Sequence, residues 1–325
     1  MKPGRERRSR TWSRLAAGLA LFLVAVPFLA PYQPERQFRR YANCPPTFWP
    51  ASVEAAGRCS SAVSPDWLVT GDPYRILGWT LRVHLFGSPD ADKPLFVLGS
   101  DALGRDLLSR FLYGLRVSLL LALGSGLATL LVGTLVGGLA AYTGGLLDTV
   151  VMRICDLFLA LPGLFLVLGV RALFPLELHG SRSLLVMGMV FVLLGWAAVA
   201  RVVAGQVREV KQRPHVLAAR VLGVPGLSIL LRHILPFLAG PLVVQFGFFL
   251  PAFIVAELTL SYLGVGIQEP DPSLGGLLRE SLNVAALTIR KWKLIPAAGM
   301  FGLILVLNYL GDRLKAGGRG RAQVW

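Results

Sequence analysis

Acidic residues are scarce in this chain. Only 18 Asp and Glu stand against 33 Lys and Arg, and charged residues together make up 16% of 325 positions. A soluble domain carries nearer a quarter. Cysteine (3) and histidine (4) are too few, and too irregularly spaced, for a metal site. The G-x-x-x-x-G-K-[ST] loop, the H-E-x-x-H pair and the G-x-S-x-G elbow are all missing. Their absence excludes nucleotide hydrolysis by a P-loop and the zincin and α/β-hydrolase chemistries. Neither a cofactor nor a metal is expected, and the chain reads as a non-enzyme. The net charge of +15 does not imply nucleic acid, because the basic residues cluster between apolar runs instead of forming a stripe with interleaved aromatics.

Hydrophobic residues are abundant, at 54%, and the mean hydropathy is +0.61. A helix needs about 20 apolar residues to cross the hydrocarbon core. Runs near that length predict spans at Leu15–Pro34, Val117–Tyr142, Leu157–Phe174 (interrupted by Pro162 and Arg171), Leu184–Val203, Pro236–Val255 and Ile295–Leu310. The expected fold is therefore an all-α membrane protein. It has six transmembrane helices, a long external loop after the first, and a cytoplasmic loop between the fourth and fifth. Three segments follow: 1–34 with the N-terminus and first helix, 35–97 as the external segment, and 98–325 as the main transmembrane domain.

Orientation follows from basic residues in the flanks. Lys2, Arg5, Arg7, Arg8, Arg10 and Arg14 precede the first span. Arg201, Arg208, Lys211, Arg213, Arg220 and Arg232 surround the fourth-to-fifth loop, and Arg313, Lys315, Arg319 and Arg321 close the chain. These segments share a face in a six-span topology, so both termini are expected in the cytoplasm of a multi-pass inner-membrane protein. Arg290, Lys291 and Lys293 oppose the trend. Phe28 makes a poor cleavage-site residue, which favours a retained first helix over a secretory signal.

The external segment is rich in Pro, Gly and aromatics, among them Trp49, Pro50, Trp67, Tyr74 and Trp79, and the alternation from Trp79 to Leu85 suits a strand. Cys44 and Cys59 lie in it, 15 residues apart. They are either a disulfide, worth about 3 kcal/mol by chain entropy, or two unpaired thiols. Cys155 reads as a packing residue.

Between Leu98 and Leu119, Ser100 or Asp101 is placed to cap a helix. Asp101 and Arg105, and Asp106 and Arg110, are spaced i,i+4 with the acid first. The segment reads as an amphipathic helix at the outer interface. In the second span, Gly124, Gly126, Gly133, Gly137 and Gly138 permit close helix packing. Gly144 and Gly145 predict a tight inner turn, and beyond it Asp148, Arg153 and Asp156 predict a surface network centred on Arg153.

The most informative run is LAARVLGVPGLSILLRHILP, Leu217 to Pro236. Breaks at Gly223, Pro225 and Gly226 divide it, and no folding requirement of a membrane chain accounts for it. A docking surface for a second protein does.

Three segments together resemble one family. LGSDALGRDLLSRFLYGLRVSL, LAARVLGVPGLSILLRHILP and AELTLSYLGVGIQEPDPSLGGLL (Ala256–Leu278) are similar to motifs of the dipeptide/oligopeptide/nickel permease subunits of bacterial ATP-binding-cassette importers. With VMRICDLFLALPGL (Val151–Leu164), the likeness runs from Leu98 to the C-terminus. It implies half of a membrane pore, paired with a second permease subunit and served by ATPase subunits and an extracytoplasmic solute-binding protein. Peptides are the first substrate class expected. ATPase coupling would fall on Leu217, Ala218, Ala219, Arg220, Gly223, Leu235 and Pro236, and an outer-face motif on Asp101, Gly104, Arg105, Asp106 and Arg110. Leu217 stands where the family usually has Glu, and Ser100 where it has Thr. The competing class is a secondary transporter or channel working without an ATPase. That class calls for several intramembrane acids, and only Asp156 and Glu257 approach this.

Overall fold

Helices make up most of the chain. The computed structural model describes residues 3–47, 59, 65–76, 78–90, 93–175, 180–283 and 287–322; Lys2, Trp49 and Pro50 lie outside the described residues. The helices are α1 (Pro3–Leu29), α2 (Leu107–Thr143), α3 (Gly145–Ala160), α4 (Gly163–Arg171), α5 (Ser181–Val210), α6 (Pro214–Val221), α7 (Gly226–Ser228), α8 (Leu235–Tyr262), α9 (Leu274–Ser281) and α10 (Leu294–Ala322). Two strands, β1 (Asp66–Ile76) and β2 (Trp79–Gly87), lie between α1 and α2.

Among the described residues, four stretches are long and apolar enough to cross a membrane: Leu107–Thr143, Ser181–Val210, Gly226–Tyr262 and Lys291–Arg313. A fifth arises if α3 and α4 form one span, although they are bent by 94°. The bend has a local cause. Leu161 is driven into the extended region by the following proline, and Pro162 shares that conformation. The apolar part of α1, Ala16–Leu29, is shorter than the others. The mostly helical membrane architecture is therefore observed with four to five spans where the hydropathy pattern predicts six.

Several boundaries move outward. The fifth span begins at Gly226 instead of Pro236, because α7 runs through a π-helical turn, Ile229–Ile234, into α8. Pro236 cannot donate to the carbonyl four residues earlier and crowds it. The widened turn just before it absorbs the misfit.

The chain forms two compact units. The first comprises Met1–Leu120 and Glu269–Met300, and the second Leu121–Gln268 and Phe301–Trp325. In the first unit β1 and β2 pair antiparallel, with Asp66 opposite Gly87, Val69 opposite His84 and Ile76 opposite Trp79. The register is irregular between Thr70 and Tyr74. Only β2 is anticipated by alternation, since Gly71 and Pro73 obscure β1. His84 is buried, its ring nitrogens 2.6 Å from the Ala30 carbonyl and 3.0 Å from that of Asp72, so the hairpin is pinned to the end of α1. Cys44 and Cys59 are joined by a disulfide, with their Cα atoms 5.7 Å apart.

In the second unit α2 and α5 touch backbone to backbone. A methyl group at Gly137 would collide with the Ala200 main chain, and one at Gly133 with Val199 and the Trp196 carbonyl. Helix α3 also packs on α5, where buried Cys155 meets Ala197 and Ala200. Phe191 on α5 stacks on Phe253 of α8, ring centroids 5.1 Å apart. Arg171, fully buried at the end of α4, donates to the carbonyls of Val265 (2.8 Å), Phe174 and Pro175 (both 3.1 Å). Among the described residues, those carbonyls are the groups its guanidinium donates to.

Candidate functional site

The sequence singles out two regions, one in each unit. The first is not the predicted interfacial helix. Residues 98–106 form a compact loop with Gly99 and Gly104 at φ +83° and +76°, and α2 starts only at Leu107. Gly104 is required twice over, by that left-handed backbone and because a Cβ would strike the Phe38 carbonyl. The cap is Asp106 and not Ser100 or Asp101: its Oδ2 accepts from the Ser109 N–H at 2.8 Å and the Ser109 hydroxyl at 2.7 Å.

Asp101, Arg105, Asp106 and Arg110 are all buried, where an interfacial helix would expose them. Asp101 Oδ1 accepts from the N–H groups of Leu103 and Arg105, both at 2.8 Å. Its Oδ2 receives Arg105 Nε at 2.6 Å and Arg110 Nη1 at 2.7 Å. The Arg105 fork grips Glu269 at 2.9 and 3.2 Å. Arg110 reaches Glu280 at 2.7 Å and Glu269 at 3.1 Å. The expected Asp101–Arg105 pair forms, but Arg110 turns to Asp101, Glu269 and Glu280 instead of Asp106. Nearby, Lys293 Nζ donates to Asn43 Oδ1 at 2.9 Å. Glu269, Glu280 and Lys293 were not found from sequence, because they lie more than 150 positions away and only the fold brings them in.

The environment separates the carboxyls. Burial pushes Asp106 up to about 6 against the opposing Ser109 hydrogen bonds. For Glu269 burial works in the same direction, but the hydrogen bond and charge of Arg105, with the Arg110 charge, overcome it and hold the group below its ordinary value. Two guanidiniums thus bridge the three carboxylates Asp101, Glu269 and Glu280, in a geometry suited to tying segments together.

The second region lies between α5 and α8. Pro214 opens α6 at its first turn, where a missing N–H costs nothing. The helix ends in a Schellman motif: Gly223 N–H bonds Arg220 O at 3.1 Å, and Val224 N–H bonds Ala219 O at 3.2 Å. Gly223 sits at φ +76° with open space around it, so the turn itself demands glycine there. Helix α6 has two faces. Val216 and Ala219 are buried, while Leu217, Ala218, Arg220, Val221 and Leu222 are exposed, Val221 and Leu222 at 88% and 81%. Ala219, one of the positions to which the resemblance assigns ATPase coupling, therefore packs inward. Leu235 and Pro236 are not at this tip but past the π-helical turn. The sequence reading overlooked Val221 and Leu222. Their signal is a pair of large apolar residues immediately before the capping glycine.

The network expected around Arg153 is redistributed. Asp148 takes a forked bond from Arg208, at 2.7 and 3.2 Å, and Asp156 pairs with Arg201; Arg153 is 3.7 Å from Asp156. Glu257 is buried on α8 and accepts from the Ser261 hydroxyl at 2.9 Å.

Apolar helices of spanning length, joined by a structured polar loop, define a multi-pass membrane component. Residues 133–316 match the family described as binding-protein-dependent transport system inner membrane component. The dipeptide transport system permease protein DppC of Lactococcus lactis is 30% identical over 307 residues, 91% of this chain and 81% of that protein. The glutathione transport system permease protein GsiD of Pectobacterium atrosepticum is 36% identical over 218 residues, covering 67% and 70%. The oligopeptide transport system permease protein OppC of Bacillus subtilis is 33% identical over 230 residues, covering 70% and 73%. A chain of the MetNI methionine ABC transporter, solved in inward facing conformations, has a TM-score of 0.51 over 65% of this chain and 97% of its own. At 17% identity that is a likeness of fold. The chain belongs to the binding-protein-dependent transport system inner membrane components. It is a permease subunit of an ATP-binding-cassette importer, a non-catalytic membrane component whose ATPase is a separate partner.

Proposed function

We propose that this subunit forms half of a peptide-importing pore and takes its drive through α6 and the turn after it. In this reading Ala16–Leu29 of α1 is a sixth span, and both termini and the loop after α5 are cytoplasmic. Segment 1–34 is the N-terminus and first helix, 35–97 is extracytoplasmic, and 98–325 is the transmembrane domain. A second permease subunit completes the pore, ATPase subunits receive α6, and a solute-binding protein delivers substrate on the other face. Peptides are favoured because the dipeptide and oligopeptide permeases named above share a third of their residues or nearly so with this chain.

The observation that carries the reading is the exposure of Val221 and Leu222 at the tip of α6 while Val216 and Ala219 hold the helix to its own chain. Two large apolar side chains presented on a basic loop suit a partner's apolar cleft, since such residues anchor interfaces once water is excluded. Closure of an ATPase pair could then move the loop as a rigid element. The exposed positions for contact are Leu217, Ala218, Arg220, Val221 and Leu222. Gly223 shapes the turn, and Leu235 and Pro236 carry the chain into α8.

A cysteine at Leu222 tests this in native membranes of the assembled importer. Cross-linking to the ATPase subunit is expected, and Leu222→Asp should abolish uptake while leaving insertion intact. Absence of any ATPase adduct, or wild-type uptake by Leu222→Asp, overturns the reading. Transport by the purified chain alone in liposomes would favour a secondary carrier.

A further inference from the structure

Both ends of the segment that carries α6 converge on one residue of another helix. Tyr142 is the penultimate residue of α2, half-buried, just before the left-handed Gly144 and Gly145 that end the helix. Lys211 leaves the end of α5, and its Nζ donates to the Tyr142 carbonyl at 2.6 Å. The same ammonium lies 5.3 Å from the centroid of the Tyr142 ring. A lysine on a terminal carbonyl both satisfies an orphan acceptor and meets the negative end of the helix dipole, and the ring adds a cation–π contact.

From the opposite end of the segment comes Gly226, the first residue of α7. A Cβ there would sit 3.0 Å from the Tyr142 hydroxyl oxygen and 3.1 Å from Cε1. The ring thus lies close against bare backbone, and a side chain at 226 would require it to give by a few tenths of an ångström. Glycine at 226 therefore lets the Tyr142 ring approach closely, besides marking the break between helices. Between these two anchor points the chain carries α6 and its exposed tip.

We propose that Tyr142 is the positioning residue that joins this segment to α2, so that a displacement of α6 is delivered to α2 instead of being absorbed by the loop. The inference rests on the coupling role proposed for α6. Lys211 holds the tyrosine's main chain and Gly226 holds its ring, so the two ends are gripped by different parts of one residue. Removing the ring leaves the Lys211 bond to the carbonyl and frees the Gly226 end. Helix shifts of roughly 1–2 Å accompany transitions of this kind, and a joint with that much slack would transmit nothing.

The test measures rigidity, so no substrate need be known. In the assembled importer, with Cys155→Ser as background, spin labels replace Pro225, an exposed residue of the turn between α6 and α7 outside the proposed contact positions, and Leu131, an exposed residue of α2. Distances are recorded without nucleotide and with ATP trapped. In the parent the label-to-label distance should hold between states to within about 1–2 Å, the scale of such helix shifts. Tyr142→Ala should broaden the distribution and separate the two states, and Tyr142→Phe, which keeps the ring, should restore the parent pattern. A distribution in Tyr142→Ala as narrow and as nucleotide-insensitive as the parent overturns the proposal, as does a failure of Tyr142→Phe to rescue. ATPase cross-linking at Leu222→Cys, measured in the same variants, separates the two readings. If it persists in Tyr142→Ala while the distance loosens, coupling stands and Tyr142 is its joint. If it is missing from the parent, the coupling role of α6 fails first.

Discussion

The loop at 98–106 and the segment around α6 use charge and apolar surface in opposite ways. The first buries Asp101, Arg105 and Arg110, and draws Glu269 and Glu280 onto them until every guanidinium is occupied. The second keeps its arginine outside and presents Val221 and Leu222 to the surroundings. The first ties its guanidiniums off within the chain, and the second, on the proposed coupling role, presents its surface to a partner. Two motifs that look equally functional in a sequence thus differ in what they ask of the rest of the assembly.

Breaking the inward region should give the largest effect. Asp101→Ala leaves two buried guanidiniums without their shared carboxylate, and stripping one partner from a buried ion network costs about 3–5 kcal/mol. The expected outcome is loss of folded permease, read by fluorescence-detected size exclusion of detergent extracts. Recovery of wild-type yield would mean that Glu269 and Glu280 suffice. Leu222→Asp, by contrast, should leave that yield unchanged, which sharpens the distinction between the regions.

Asp106 gives a smaller, pH-dependent effect. Its folded value of about 6 lies above the ordinary carboxyl value of 3.8. Between the two the folded state binds more protons, so this group's contribution to stability falls as pH rises through that window. Two pKa units correspond to about 3 kcal/mol. Asp106→Asn keeps an oxygen for the Ser109 cap and cannot ionise. The stability of the variant relative to the parent should therefore rise from pH 4 to 6 and level off above, in thermal unfolding followed over that range. A flat difference would show that Asp106 titrates as a solvated carboxyl does. The smallest effect belongs to Arg208→Gln. Its fork to Asp148 is half-exposed, and such pairs are worth under about 1 kcal/mol, so melting should shift by no more than the error of the scan.

Hydropathy made the long helices legible, because α2, α5, α8 and α10 are continuous apolar runs whose only signal is length. It misjudged their ends, since Pro236 looks like a start until the π-helical turn before it is seen. Short-range patterning failed at Leu98–Leu119 for a different reason. The i,i+4 spacing of Asp101 and Arg105 is equally compatible with a helix and with a loop whose aspartate accepts two main-chain N–H groups. Two glycines with left-handed backbone decided for the loop. At α6 the tip was legible and its faces were not: a helix of eight residues carries too few positions to reveal which alanine points inward. Tyr142 had no signal at all, being one aromatic at the end of an apolar run.

The glycine seam between α2 and α5 has a mechanical consequence. Where Gly137 faces the Ala200 main chain, and Gly133 faces the Trp196 carbonyl and the branched Val199 side chain, little between the two backbones can change rotamer. Such a seam cannot yield by degrees. The pair must travel as a single beam or come apart altogether, and any opening of the pore has to hinge elsewhere.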